Sequence, residues 1–221
     1  MTTAFPVAGL DFLRDLDANN NKEWFHANKK RYEHSLKLPG RALVDAVNGE
    51  LSAISPSHVT PAGKAISRIN RDIRFSKDKT PYNVKLWAGF HDASQPKGAS
   101  AGYYFGFGLE DVGVGAGAWM PPKEYIGPLR AHIAEHHADL EAILADLPSE
   151  YTELKGEKYK RVPKPFPPDH PAGEWLKHKG FHIGRSMPLD VVTTENFVPL
   201  IGQAFRELKP LVDFLGAGLA G

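Results

Sequence analysis

The chain has 221 residues, 42% hydrophobic and 24% charged, with 12 Phe, 7 Tyr and 4 Trp, enough apolar bulk for a sizeable core and too much for a disordered chain. Cysteine is absent, which excludes disulfides, thiolate metal sites, iron–sulfur clusters and a cysteine nucleophile. A net charge of +1 excludes a globally basic nucleic-acid binder. The first ten residues carry no basic region and meet Asp11 early, unlike a signal peptide, and no apolar run reaches the roughly 20 residues of a membrane span. The expectation is a cytoplasmic protein with no membrane partner.

In chain order, Leu10, Phe12, Leu13 and Leu16 mark the apolar face of a first helix. Asn19-Asn20-Asn21 breaks the pattern and supplies a cap for a second helix carrying Trp24, Phe25, Asn28 and Tyr32. Pro39-Gly40 reads as an interruption. Leu43, Val44, Val47, Leu51 and Ile54 then recur at helical spacing until Ser55-Pro56. Residues 65–70 read as a strand delivering a charged segment, and 82–90 as another strand, with Gln95-Pro96-Lys97-Gly98 in a loop. Tyr103, Phe105 and Phe107 alternate with Tyr104, Gly106 and Gly108, and the stretch 112–119 answers them, predicting a hairpin. Its glycines weaken the strands or let something approach the sheet closely.

After Met120-Pro121-Pro122, the positions Ile126, Leu129, Ile133, His136, Leu140, Ile143 and Leu147 predict one amphipathic helix. Residues 155–173, rich in proline and lysine, read as an ordered loop or crossing segment. Residues 180–187 predict a strand, and Phe197, Ile201, Phe205, Leu208, Val212 and Leu215 a final helix. The fold class is α+β: a mostly antiparallel sheet of four or five strands mid-chain, packed on one face by N-terminal and C-terminal helices. Residues 1–216 form a single domain in this reading, and 217–221 a frayed tail.

The segment that carries chemistry is Arg68-Ile-Asn-Arg71-Asp72-Ile-Arg74-Phe75-Ser-Lys77-Asp78-Lys79-Thr-Pro81-Tyr82. From Lys64 to Lys85 seven Lys/Arg face two Asp, so a local positive field sits inside a near-neutral chain. Guanidinium forks match phosphate or carboxylate oxygens. In this reading Arg68, Arg71 and Arg74 clamp an anion, Lys79 neutralises it and Tyr82 orients it. Asp72, flanked by arginines, stays ionised and is the one candidate for an acid/base or orienting role. The competing reading pairs Asp72 and Asp78 with these cations as a salt-bridge lattice, Arg68 and Asp72 being spaced for a helical pair.

A second basic segment holds Lys155, Lys158, Lys160, Arg161, Lys164, Lys177, Lys179 and Arg185. It either folds over the arginine segment, with Arg161 completing a cationic cleft, or is a solvated lysine-rich loop. His132-Ile-Ala-Glu135-His136 matches H-x-x-E-H, a zinc pattern. His136 lies in an apolar stripe and no third ligand can be named, so no metal is expected. No glycine pattern or Walker lysine calls for a nucleotide cofactor, and none is expected. Tyr103-Tyr104-Phe105 is a stacking strand for nucleobases or, in the competing reading, a core face.

Written as R-x-x-R-D-x-R-F-x-x-x-K-x-P-Y, the segment resembles the signature of a bacterial and fungal family, domain-of-unknown-function family 2461. Arg68, Arg71, Asp72, Arg74, Phe75, Lys79, Pro81 and Tyr82 fill its fixed positions. Tyr159-Lys-Arg161-Val-Pro-Lys-Pro, His170-Pro171, Lys177 and Lys179 are also similar to it. The resemblance implies kinship over nearly the whole chain and no particular chemistry. Three functions stand at this point: a domain binding a small phosphorylated or carboxylated ligand, a nucleic-acid-binding module, and a structural or interaction domain. Whether the chain is an enzyme, and its oligomeric state, stay open.

Overall fold

The computed structural model describes residues 4–96, 98–151 and 157–220; Lys97, Lys155 and Gly221 lie outside them. Helix α1 (Val7–Ala18) buries Leu10, Phe12, Leu13 and Leu16, the predicted face. The asparagine run then works residue by residue. Asn19 donates its side-chain amide to the Asp15 carbonyl (2.9 Å). Asn21 caps α2 (Lys22–Ala27) by accepting the Trp24 N–H (2.9 Å). Asn20 reaches across the chain to Tyr82, as described below.

Short α3 (Lys29–Tyr32) leads into a π-turn over Glu33–Lys37, and α4 (Leu38–Ile54) follows without a gap. Pro39-Gly40 therefore does not interrupt the helix. Proline lacks an N–H, and its place in the first turn of α4 is where a helix needs none. The wider turn before it closes with the Leu38 N–H on the Glu33 carbonyl. Gly40 lets α4 approach the sheet, since a Cβ there would lie 2.6 Å from the Leu86 side chain.

Four strands, β1 (Leu86–His91), β2 (Gly102–Phe107), β3 (Asp111–Ala118) and β4 (Phe181–Pro188), form an antiparallel sheet in sequence order. Residues 65–70 are not a regular strand. They run beside β1 through isolated bridges, Ile66 to Ala88 and Asn70 to Tyr82, after a short helix α5 (Ala62–Ala65). The predicted 82–90 strand begins at Leu86, because Tyr82 is held by that bridge.

One sheet face carries Tyr103, Phe105 and Phe107 into the core against α9 (Phe197–Ala220). Ring centroids lie 4.8 Å apart for Tyr103–Phe205, 6.1 Å for Phe105–Phe197 and 6.0 Å for Phe107–Phe197. Each of these phenylalanines is buried, worth about 1.5–3 kcal/mol apiece in transfer from water.

The opposite face is tiled. The Trp87 indole lies down over Gly106 and Gly113, and the Tyr104 ring over Gly115 and Gly184. A Cβ on Gly106 would fall 2.5 Å from Trp87 Cε3, and one on Gly184 would fall 2.8 Å from the Tyr104 hydroxyl. The partner that the alternate glycines admit is the protein's own aromatic pair.

The single predicted helix over 126–147 is two: α6 (Lys123–Glu135) and α7 (His137–Ala145), parted at His136. Residues 217–220 of the predicted tail are helical. α9 runs to Ala220 because Gly218 packs against His132 and Leu129 of α6, where a Cβ would meet both at 2.9 Å. A four-residue α8 (Gly173–Leu176) precedes β4. The buried side chains from both ends of the chain and from the sheet merge into one cluster. Among the described residues, no helix is long and apolar enough to cross a membrane.

Candidate functional site

The arginine segment is an extended ribbon closed by a loop. Ser67 N–H bonds to Trp87 O (2.8 Å), Asn83 N–H to Ile69 O (2.7 Å) and Arg71 N–H to Pro81 O (2.9 Å), so 66–71 runs antiparallel to 81–88 along the free edge of β1. Residues 72–80 turn back at the tip. Because this backbone is extended, Arg68 and Asp72 do not form the helical pair. Asp72 instead takes a bidentate bond from Arg74, 2.9 Å from Nε and 2.6 Å from an η nitrogen.

The tip holds itself together. Arg71 donates to Asp78 (2.5 Å), to the Thr80 carbonyl (3.1 Å) and to the Thr80 hydroxyl. Lys79 donates to the Ile73 carbonyl (2.9 Å). The Arg74 side chain and the Arg74 N–H hold Asp72 below the usual carboxylate range, so it is ionised. The Thr80 N–H, Arg71 and the Thr80 hydroxyl hold Asp78 at about 2. Three of the predicted anion ligands, Arg71, Arg74 and Lys79, thus spend donors on their own loop. The two paired acids remain 59% and 60% exposed, so this lattice is at the surface. Phe75 stands at the tip, 93% exposed, with the Arg74 guanidinium 5.8 Å from its ring.

Arg68 and Tyr82 belong elsewhere. They line a cleft of about 550 Å³ between the ribbon and the segment 22–37. Asn20 fixes that geometry: its Oδ1 accepts the Tyr82 N–H (3.1 Å) and its Nδ2 donates to the Tyr82 carbonyl (3.0 Å), as a neighbouring strand would. Phe25 stacks on Tyr82 at 4.1 Å and packs against Tyr32 at 5.2 Å, which completes an aromatic wall. Burial, and secondarily the nearby charge of Glu23, raises the Tyr82 phenol, so it stays a neutral hydroxyl.

Into this cleft face Lys22, His26, Lys29, Lys37 and Arg68, with no carboxylate among the described residues of the lining. Lys37 bonds to Glu33 (2.8 Å). Among the described residues, the Arg68 guanidinium has no hydrogen bond or ion pair. The sequence reading missed the four N-terminal members. The signal was there: Lys22, His26 and Lys29 step by 4 and 3 along one helical face, adjacent to Phe25 and Tyr32.

Among the described residues, none of the second basic segment lines the cleft. Tyr159 N–H bonds to Lys177 O (2.8 Å), its ring lies 5.2 Å from the buried Arg130 guanidinium, and the segment leads into β4. The first segment lies beside β1 and the second leads into β4, and these opposite edges of the sheet are three strand spacings apart, roughly 14 Å. Arg161 is exposed and is not in the cleft lining. Arg185 lies on the helix face, 3.4 Å from Glu207 and 5.0 Å from the Tyr151 ring.

His132 and His136 have centroids 4.7 Å apart. The described residues contain no group of three His, Asp or Glu placed to hold a metal. In the aromatic strand, Tyr103 and Phe105 face the core and only Tyr104 faces out. A second recess of about 450 Å³ lies over that outer face, with Lys85 set against Asp17, Glu110 and Asp111.

A family model described as "Conserved hypothetical protein (DUF2461)" matches residues 8–214. No curated protein matches the chain.

Proposed function

The chain belongs to this DUF2461 family, and from that premise we propose that it is an anion-binding domain whose ligand, a small phosphorylated or carboxylated molecule, sits in the cleft between residues 22–37 and Arg68. The observation that carries this reading is the cleft's lining: among the described residues, four Lys/Arg, a histidine and no carboxylate. An arginine with all its side-chain donors unspent is suited to a bidentate bond with a phosphate or carboxylate. Lys22 and Lys29 neutralise charge, and Tyr32, Asn70 and His26 offer further hydrogen bonds. The volume lies within the range of small-molecule sites.

For Arg71 and Arg74 a structural role is favoured, because both are paired within the loop. That loop presents Arg68 through the ribbon behind it. Recognition and support are therefore divided within one motif.

The test is thermal unfolding and titration calorimetry with phosphate, sugar phosphates, nucleotides and dicarboxylates, on wild type, Arg68→Ala and Arg71→Ala. A ligand at about 100 times its Kd stabilises the folded state by about 2.7 kcal/mol. For a chain of this length that raises Tm by roughly 5–11 °C. Arg68→Ala should abolish the rise, while Arg71→Ala lowers the starting Tm and keeps the rise. An Arg68→Ala protein with wild-type affinity would refute the assignment.

A further inference from the structure

The charge and layout of the same cleft point to a narrower ligand class, and this step rests on the reading above. We infer that the ligand carries at least two linked phosphate groups rather than one phosphate or a carboxylate. Among the described residues, Lys37 alone of the cations facing the cleft has an acid in contact, Glu33 at 2.8 Å. Among the described residues, Lys22, Lys29 and Arg68 form no ion pair, and the carboxylates that act on this region, Glu33 on Lys29 and Glu23 on Tyr82, stand outside the lining. A carboxylate brings one negative charge and a phosphate ester about 1.5 to 2 at neutral pH. Either leaves like charges facing one another across the cleft. Two linked phosphates bring more negative charge than either, and two sets of acceptor oxygens for cations on both walls.

The spacing agrees. Lys22, His26 and Lys29 follow one another along one wall, with Arg68 on the other. Lys22 lies in α2 and Lys29 in α3, with the helix break at Asn28 between them, so the two ammonium groups reach the cleft from separate helices. Charge-assisted bonds close to about 2.7–2.9 Å. For one phosphate to meet both lysines, their stems must fold toward a single point, with loss of rotamer freedom. A pair of phosphates laid along the wall meets both ends, and Arg68 takes either from the opposite side.

The experiment is calorimetry at constant ionic strength with acetate, succinate, inorganic phosphate, pyrophosphate and tripolyphosphate, on wild type and on a Lys22→Ala/Lys29→Ala double variant. Both lysines are exposed, so the variant should fold as wild type does, and circular dichroism checks that. Pyrophosphate should bind wild type at least tenfold more tightly than phosphate, and the double variant should reduce that ratio to about threefold or less. Equal affinity for phosphate and pyrophosphate would overturn this inference while leaving the anion site standing, as would succinate matching pyrophosphate. Tight binding of a single-stranded oligonucleotide that pyrophosphate cannot displace would overturn it in favour of a polymer ligand. Absence of binding by every anion would remove the site itself.

Discussion

Asn20→Ala should cost more stability than a partly exposed linker residue ordinarily does. The side chain makes two bonds to the Tyr82 backbone, at 3.0 and 3.1 Å, and Tyr82 is only 4% exposed. Truncation strands a donor and an acceptor that water reaches poorly. At about 0.5–1.5 kcal/mol net per bond, and more where a group is left buried without a partner, the loss is about 2–3 kcal/mol. For a chain of this size, that lowers Tm by roughly 4–12 °C. Because α2 begins two residues later, the same change also frees one wall of the cleft, so anion affinity should fall although no ligand-facing group is altered. Urea denaturation gives the stability and calorimetry the affinity. A stability loss below about 0.5 kcal/mol, with affinity unchanged, would mean that Phe25 stacking alone docks the helix, and the reasoning would fail.

Arg71→Ala should open the loop at 72–80 to limited proteolysis, while Arg68→Ala leaves the cleavage pattern as in wild type. His178 is buried, and its pKa is lowered to about 4, first by desolvation and then by the charges of Lys158 and His182. The unfolded chain therefore takes up this proton near 6.5 and the folded protein only near 4. Its contribution to stability is intact above about pH 6.5 and is lost as pH falls from there to about 4. The urea midpoint should drop across that window, and drop less in His178→Phe; parallel curves would count against the assignment. Gly106→Val drives a side chain into the Trp87 indole and should cost about 1–3 kcal/mol, with a red-shifted tryptophan emission as the ring lifts into water. An unchanged spectrum would show that the ring does not rest there.

The parts of the fold that were legible are those set by local periodicity. Tyr103, Phe105 and Phe107 alternate because one face of β2 meets α9, and Asn21 caps α2 by a rule that spans three residues. Where long-range contact decides, local reading failed. Residues 65–70 carry strand composition but lie at a sheet edge that pairs only at isolated bridges. The end of α9 stays helical because α6 packs on Gly218. The site shows the same division. The arginines were conspicuous in the sequence, yet the acids beside them, Asp72 and Asp78, take up two of the three. The cleft needed Lys22, His26 and Lys29 to meet Arg68, and the bond that brings them together joins Asn20 to Tyr82, 62 positions apart. No window on the sequence contains both halves.

The tiled outer face of the sheet has a bearing on how this chain can change over time. Trp87 and Gly106 occupy one volume between them, as do Tyr104 and Gly115. A side chain gained at either glycine requires the ring above it to shrink or swing away. A ring lost leaves bare glycine backbone, which has no side chain of its own to cover the strands. Shrinking the ring alone makes no room for a side chain, because the Leu86 carbonyl at Gly106 and the Ile183 carbonyl at Gly115 close the same space: each ring and the glycine beneath it form one unit of packing.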